Sequence, residues 1–206
     1  QVHFPAIDLI GHATMRGNKM SGDVDLTLET GQAVGSAEFN MANDAYEVSL
    51  DLADMPIHAV LPFSNFGDLT ASVTAKGKGF DLMDKSTELT ANLLVDHLGY
   101  DGMDYKDVKC DVSLSSGTFV ANFDSNNPNL DFTLGCGGEL AENHYVVALD
   151  CDVRDLDLYA LKLMDVRTNG RGLINAFGDI DLSNNHYDLT AEIQSLKLAY
   201  DTIDLN

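Results

Sequence analysis

The chain of 206 residues is poor in positive charge, with 12 Lys and Arg residues against 33 Asp and Glu residues and a net charge of −21. Nucleic-acid binding depends on Lys and Arg side chains at phosphate groups, so this balance excludes DNA and RNA as partners. The same charge is repelled by anionic membrane surfaces. We expect the excess of carboxylates to keep an apolar-rich chain soluble.

Long apolar runs are also missing. No stretch of the sequence approaches the roughly 18 consecutive apolar residues that a membrane-spanning helix requires. The chain starts at Gln1 without an initiator Met, and it stops at Asn206 within an alternating run. We therefore expect it to be an excised piece of a longer protein, with any signal peptide or anchor outside it.

Cysteine is scarce, and the three cysteines are an odd number, which excludes a complete disulfide framework. Cys110, Cys136 and Cys151 each fall on the apolar phase of an alternating segment. This placement favours free buried thiols that act as small apolar side chains. A Cys136–Cys151 bridge across one hairpin stays open, whereas a zinc site is disfavoured because no Cys-x-x-Cys or Cys/His spacing is present.

Catalytic motifs are absent as well: the sequence contains no G-x-S-x-G, no H-E-x-x-H and no phosphate-binding Walker loop. The run from Asp124 to Asn129 offers oxygen atoms that calcium could use, but it lacks the glycine and glutamate of an EF-hand, so we interpret it as a turn. The sequence predicts neither an enzyme nor a bound cofactor or metal.

What the sequence does contain is a long internal repeat. Residues 88–101 read ELTANLLVDHLGYD and residues 188–201 read DLTAEIQSLKLAYD, and further matches define repeats at about 35–102 and 137–202. Histidines are replaced between the copies, for example His58 by Tyr159 and His97 by Lys197, which predicts surface rather than catalytic positions. No linker separates the copies, so we expect one continuous body over residues 1–206.

Nearly every segment from Gly22 onwards alternates between apolar and polar residues, with turn residues between the runs. Period two with one apolar face predicts an all-β protein built of antiparallel strands in a meander. Two short helices or turns are predicted at Met55–Phe66 and Leu156–Asp165, with Asp54 and Asp155 as N-caps. Before Gly22 we expect an entering strand at Phe4 to Leu9 and then a polar passage over residues 11–22.

The apolar stripe that these strands share is the most informative feature. A sandwich would bury the stripe against a second sheet, whereas a sheet folded lengthwise into a U would leave a groove lined by it. The residues that we predict to line such a groove are Val48, Leu50, Leu69, Val73, Leu89, Leu93, Val112, Phe119, Phe132, Val147, Leu149, Leu189 and Ile193.

Four further segments carry a family resemblance: DLDLYALKL at residues 155–163, GRG at residues 170–172, and the GDIDL and LKLAY segments that follow. With the alternating, Asp- and Gly-punctuated strands, this pattern resembles the AsmA-like, TamB-type proteins of Gram-negative envelopes, most like those of Bacteroides relatives. The resemblance covers the chain from about Gly22 to its end.

The resemblance implies an elongated antiparallel repeat sheet folded into a U-shaped groove, a β-taco, with one or two short helical turns. It implies a periplasmic module, in a parent protein anchored at the inner membrane, that carries phospholipid acyl chains and contributes to outer-membrane biogenesis, with outer-membrane assembly proteins as further partners. A secreted or surface β-sandwich that binds a partner, or a structural spacer with a closed core, remains the alternative. The absence of Trp weakens the glycan-binding version of that alternative.

Overall fold

The structure, a computed structural model, describes residues 7–28, 31–61 and 65–200. These residues form twelve β-strands and one short helix, which confirms the predicted all-β class. The chain divides into two compact units, Gln1–Gly117 and Thr118–Asn206, which we call unit 1 and unit 2 and describe separately.

Unit 1 contains seven antiparallel strands, and their order in the sheet is their order in the chain. The strands are β1 (Ile7–Arg16), β2 (Lys19–Leu28), β3 (Gly31–Asn40), β4 (Ala45–Pro56), β5 (Phe66–Lys78), β6 (Glu88–Tyr100) and β7 (Met103–Ser115), with helix α1 (Ile57–Val60) between β4 and β5. Among the described residues β1 does not pair with β7, so this sheet does not close on itself.

Unit 2 contains five antiparallel strands, again in chain order. They are β8 (Thr118–Asn127), β9 (Leu130–Ala141), β10 (His144–Asp157), β11 (Thr168–Asp181) and β12 (His186–Tyr200). The predicted antiparallel, open arrangement of strands is therefore confirmed in both units.

Short turns hold the strands in register. The two-residue turn between β6 and β7 places Asp101 at φ 51° and Gly102 at φ 74°. Both angles lie in the left-handed region, as the type I′ hairpin turn requires, and Asp followed by Gly is one of the pairs that adopt it readily. Because the turn fixes the pairing, Tyr100 lies opposite Met103 and each alternate pair beyond it stays on one face.

The expectation of a polar passage over residues 11–22 was wrong. These residues belong to the hairpin of β1 and β2, which is paired without interruption from Ile7–Leu28 to Arg16–Lys19. Gly11, Met15, Met20 and Gly22 obscure the alternation in the sequence, yet they lie on the apolar side of the hairpin. Phe4, the start of the predicted entering strand, lies outside the described residues.

Of the two predicted helical segments, the first contains the four residues of α1 and the second forms a turn. Asp54 does not cap α1: the cap position is Pro56, without a side-chain hydrogen bond, and Asp54 lies in the bulge of β4 at φ 46°. In the second segment Asp157, rather than Asp155, accepts hydrogen bonds from the backbone N–H groups of Tyr159 and Ala160. Residues 62–64 of the first segment lie outside the described residues.

A small apolar cluster fills the end of unit 1 where α1 lies. Leu28, Ala33 and Met55 are buried there, and Ile57 and Ala59 of the α1 segment pack against them. The pairing of β2, β3 and β4 brings the three buried residues together, so α1 covers the apolar side chains at this end of the strands.

Matching features recur at the repeat spacing. The residue before β4, Asp44, has φ 52°, and the residue before β10, Asn143, has φ 60°. The ladder of β4 with β5 shifts register between Leu52 and Met55, and that of β10 with β11 shifts between Val153 and Leu156. The repeat therefore coincides with equivalent turns and bulges, while the limits of 35–102 and 137–202 remain a prediction.

Candidate functional site

The register of unit 1 gathers apolar and small side chains on one face, which we call the unit 1 apolar face. Residues directly opposite each other in paired strands point to the same side of a sheet. One cross-strand row of this face contains Gly11, Val24, Gly35, Leu50, Val73, Leu93 and Cys110. The neighbouring row contains Ala13, Gly22, Ala37, Val48, Ala75, Ala91 and Val112. Neither row contains a polar side chain other than the thiol of Cys110.

The opposite side of the same strands is polar. The row that alternates with the two above contains His12, Asp23, Ser36, Ser49, Thr74, Asn92 and Asp111. Hydrogen bonds link neighbours within this row, from His12 to Asp23 at 3.2 Å and from Thr74 to Asn92 at 3.5 Å. The two sides of the sheet in unit 1 therefore differ sharply in chemistry.

Unit 2 shows this division in part. Its apolar face, the unit 2 apolar face, contains the row Phe119, Gly138, Val147, Gly178 and Leu189 and the row Ala121, Cys136, Leu149, Ala176 and Ala191. On the opposite side, the row Asn122, Gly135, Asp150, Asn175 and Glu192 is polar except for its glycine, whereas the neighbouring row Val120, Gly137, Ala148, Phe177 and Thr190 is largely apolar. Large side chains of β12 lie over glycines of β11: a Cβ atom added to Gly178 would lie 3.1 Å from Leu189 Cδ2.

The structure places the thirteen predicted lining residues on these two faces. Seven lie on the unit 1 apolar face: Val48, Leu50, Leu69, Val73, Leu89, Leu93 and Val112. Six lie on the unit 2 apolar face: Phe119, Phe132, Val147, Leu149, Leu189 and Ile193. Val48, Leu189 and Ile193 are exposed, and the other ten are half-buried. Contact of these side chains with a lipid stays a prediction.

Much of this apolar surface remains accessible. Only six apolar side chains are buried in the described residues: Leu28, Ala33, Met55, Pro56, Ala71 and Leu114. Large apolar side chains that remain exposed on the two faces include Val24, Val48, Leu189 and Ile193.

The three cysteines are free and half-buried on these faces. Burial raises the pKa of the Cys110 thiol, and the carboxylate of Asp111 raises it further. Burial likewise raises the pKa of the Cys151 thiol, with Asp152 as the second cause. These two thiols therefore stay protonated at neutral pH and add no charge to the apolar faces.

An aromatic cluster that sequence reasoning missed lies at the end of unit 1 opposite α1. The ring of Phe80 stacks on Tyr46 with centroids 5.1 Å apart and lies 5.9 Å from Phe39. Tyr46 and Phe39 extend the unit 1 apolar face, whereas Phe80, 68% exposed, follows β5 in a loop. The sequence signal was weak because Phe80 contacts strands more than 30 residues away. A depression of about 530 Å³ lies beside Phe39 and Tyr46, and charged side chains of both signs line it: Arg16, Lys19, Lys76, Glu38 and Glu47.

Two further observations concern the part of the chain that the structure describes. No group of three His, Cys, Asp or Glu side chains there is arranged to hold a metal ion. Within the same residues, no helix is long and apolar enough to cross a membrane.

Comparisons of the chain with protein-family models, with curated proteins and with solved structures found no match. The functional interpretation therefore depends on the residues and the geometry described above.

Proposed function

We propose that this protein binds the acyl chains of phospholipids along its two apolar faces and acts as a lipid-transport module. The observation that carries this proposal is the set of uninterrupted apolar rows that cross all strands of each unit and remain partly accessible. A ligand that covers these rows must be long, flexible and apolar, and an acyl chain has these properties.

The energetics support a mobile ligand rather than a fixed one. Burial of an acyl chain contributes about 0.8 kcal/mol for each CH₂ group removed from water. Successive strands in a row lie about 4.8 Å apart and present similar small or aliphatic side chains, so no position binds much more tightly than the next. A face of this kind holds a chain while allowing it to slide along the row.

The polar sides of the strands and the net charge of −21 favour an aqueous setting on the other side of each sheet. The resemblance to AsmA-like, TamB-type proteins supplies the cellular context of the proposal: the periplasm, a parent protein at the inner membrane, and a contribution to outer-membrane biogenesis together with assembly proteins. The periodic Asp- and Gly-punctuated strands support this context.

Lipid binding is tested by native mass spectrometry of the purified protein and by titration with a fluorescent fatty acid. We expect co-purified phospholipid and saturable binding in the wild type. Leu93→Asp and Leu149→Asp each place a carboxylate on an apolar face, and we expect each to weaken fatty-acid binding by about tenfold or more, because charge on the face costs desolvation.

Matched controls carry the same charge in the polar rows of each unit. Thr90→Asp on β6, beside Lys76, and Asn122→Asp on β8, opposite Gly135, are both exposed, and we expect both to bind like the wild type. Circular dichroism establishes that all four variants keep their β-structure. Two results would contradict the proposal: a wild type that carries no lipid and does not bind the fatty acid, or folded Leu93→Asp and Leu149→Asp variants whose binding is unchanged. Either result would favour the alternative, a binding module or structural spacer with a closed core.

A further inference from the structure

The side of unit 2 that lies opposite its apolar face carries exposed apolar side chains in the middle of the sheet. We call the row of Val120, Gly137, Ala148 and Phe177, on β8 to β11, the central row. Val120 and Phe177 are 45% and 41% exposed, and Ala148 is exposed as well. β9, β10 and β11 each pair with a strand on both sides, so this apolar surface lies away from the edges of the sheet.

The central row is lower in its middle than at its ends. Val120 and Phe177 are large, whereas Gly137 and Ala148 between them are small. A Cβ atom added to Gly137 would lie 3.3 Å from the Phe119 carbonyl oxygen and 3.9 Å from Val120 Cγ2. A glycine inside a strand often marks a place where another chain approaches closely. The row therefore offers a shallow socket for a large apolar side chain.

Carboxylates lie on both sides of the central row. One flanking row contains Thr118, Glu139, Val146, Asp179 and Asp188, and the other contains Asn122, Gly135, Asp150, Asn175 and Glu192. Neither row contains Lys or Arg. Residues two positions apart along a strand are separated by about 7 Å, which places the two flanking rows roughly 14 Å apart. An α-helix with its side chains is about 10–12 Å wide, so one helix fits between them.

A depression of about 450 Å³ adjoins the flanking row that contains Asp150. Its lining includes the carboxylates of Asp124, Asp150 and Asp152 and no Lys or Arg side chain. Arg154 pairs with Asp124 at 3.8 Å, which shows that a guanidinium group fits beside these carboxylates. The depression therefore suits the cationic end of a Lys or Arg side chain from a partner.

The equivalent central positions of unit 1 are polar. Ser49 of β4 pairs with Thr74 of β5, whereas Ala148 of β10 pairs with Phe177 of β11. Both units present the other sides of these strands as apolar faces, so the additional apolar surface is a property of unit 2 alone.

The charges beside these positions differ in the same way. In unit 1 Glu47 lies opposite Lys76, and the two side chains form an ion pair at 4.0 Å. In unit 2 the equivalent residues are Val146 and Asp179. Unit 1 therefore balances charge within this row, whereas unit 2 leaves an excess of negative charge beside its apolar row.

We propose that the central row and its two flanking rows are a docking site for a basic amphipathic helix of a partner protein. The apolar stripe of such a helix covers Val120, Ala148 and Phe177, and its Lys or Arg side chains on both sides of the stripe reach the flanking carboxylates. A second copy of this chain is a poor occupant because it carries the same net charge of −21. The proposal does not depend on lipid binding, which uses the opposite side of the strands.

The first test measures the binding of a fluorescent peptide to the whole chain by anisotropy. The probe is a helical peptide of leucine and lysine, about 14 residues and therefore about 21 Å long, with its leucines in one stripe. We expect saturable binding, and binding at least about tenfold weaker for a peptide of the same composition whose order scatters the leucines, because only the stripe matches the central row. The scattered peptide has the same charge, so it controls for general attraction to an acidic protein.

Substitutions at Phe177 locate the peptide. Phe177→Thr introduces the residue type of Thr74 in unit 1, and we expect it to raise the dissociation constant by about tenfold, since aromatic side chains dominate such contacts. Phe177→Leu keeps an apolar side chain, and we expect a change within about threefold. Val34→Thr is the matched control, because Val34 is 45% exposed on the polar side of unit 1, and we expect unchanged binding.

Charge reversal tests the flanking rows. Glu139→Lys and Asp150→Lys lie on opposite sides of the central row, and we expect each to raise the dissociation constant by about fivefold or more. Glu38→Lys makes the same change of net charge at an exposed position of unit 1, and we expect an effect below about twofold.

The outcomes separate this surface from other sites. Equal binding of the striped and scattered peptides, unchanged binding by the folded Phe177→Thr variant, or equal effects of Glu38→Lys and Asp150→Lys would each overturn the proposal. Peptide binding that is lost in Leu149→Asp but kept in Phe177→Thr would place the peptide on the unit 2 apolar face and would also overturn it. Loss of fatty-acid binding by Leu149→Asp with unchanged peptide binding supports two separate sites, so failure of this proposal is distinguishable from failure of the proposed function.

Discussion

The connection between β4 and β5 in unit 1 and the connection between β10 and β11 in unit 2 occupy equivalent places in the repeat. In unit 1 this connection forms α1, and Ile57 packs against the buried side chains of Leu28 and Met55. In unit 2 the connection forms a turn in which Leu158 and Leu161 are half-buried, whereas Leu163 and Val166 are 67% and 50% exposed.

The residues that are buried at this end also differ. In unit 2 they are polar: Ser125, Asn127 and Thr168 are nearly inaccessible. Ser125 Oγ donates a hydrogen bond to the Leu130 carbonyl at 2.7 Å, and Thr168 Oγ1 donates one to the Val166 carbonyl at 3.0 Å. Hydrogen bonds satisfy these hydroxyl groups, as burial of polar groups requires.

The comparison shows that the same arrangement of strands can end in either an apolar cluster or a set of buried, hydrogen-bonded polar side chains. An apolar cluster draws the connection onto the sheet because the connection can bury its own apolar side chains there. In unit 2 the buried polar side chains instead form hydrogen bonds with nearby residues. The end of the unit 1 apolar face is therefore covered by α1, whereas Leu163 and Val166 in the equivalent connection of unit 2 remain exposed.

The largest expected effect comes from a cavity in the apolar cluster. Leu28→Ala removes a side chain that is 2% exposed, and we expect it to lower the free energy of unfolding by about 2–5 kcal/mol. Leu163→Ala at the equivalent connection of unit 2 removes an exposed side chain, and we expect a change within about 0.5 kcal/mol. Urea unfolding followed by circular dichroism measures both. Equal losses would show that the two connections are packed alike and would remove the difference described above.

A smaller effect is expected from the polar network of unit 2. Thr168→Val keeps the shape of a fully buried side chain but deletes the hydrogen bond to the Val166 carbonyl. We expect a loss of about 0.5–1.5 kcal/mol, because the variant lacks this one hydrogen bond. Thr190→Val, at an exposed position of β12 opposite Phe177, is the matched control, with an expected change within about 0.5 kcal/mol. If the Thr168→Val variant is as stable as the wild type, this end of unit 2 can bury an apolar side chain in place of the threonine hydroxyl without loss of stability.

The strands and their faces were predictable because alternation is a local property of the sequence. Once successive side chains leave a strand on opposite sides, Leu89, Ala91 and Leu93 must share a face, and the thirteen candidate lining residues followed from this rule alone. The hairpin turns were equally local: Asp101 followed by Gly102 adopts the required backbone angles without help from the rest of the chain.

The ends of the strands were not predictable, because they depend on contacts between distant residues. Met55 was assigned to a helix, but its pairing with Leu69 keeps it in β4, where the cluster with Leu28 buries it. Aspartate is a residue type that often caps helices, yet a register shift places Asp54 in a bulge. There its carboxylate accepts a hydrogen bond from Thr70 Oγ1 at 3.2 Å. The β1–β2 hairpin was missed because Gly11 and Gly22 interrupt the apolar alternation while occupying its apolar side.

At the other end of the strands the two units agree, and the smallest predicted effect examines that agreement. In unit 2 the turn after β11 surrounds Asp181, whose carboxylate accepts hydrogen bonds from the Asn184 side chain at 2.6 Å and from the Ser183 backbone N–H at 2.9 Å. The Asn184 side chain, followed by these backbone donors, lowers the pKa of Asp181. In the equivalent turn of unit 1, hydrogen bonds from Ser86 lower the pKa of Asp84.

A carboxylate with a lowered pKa in the folded state stabilises the fold above its unfolded pKa of about 3.9, and this contribution is lost as the pH falls through the folded value. We therefore expect Asp181→Asn and Asp84→Asn each to flatten slightly the loss of stability below about pH 4, with little dependence on pH above it. Asn184→Ala should reproduce the Asp181→Asn profile, since it removes the principal hydrogen bond. Thermal unfolding midpoints from pH 2 to pH 7 measure the effect. Flattening by one turn variant and not by the other would extend the difference between the units to both ends of their strands, whereas equal flattening confines that difference to the end where α1 packs on Leu28 and Met55.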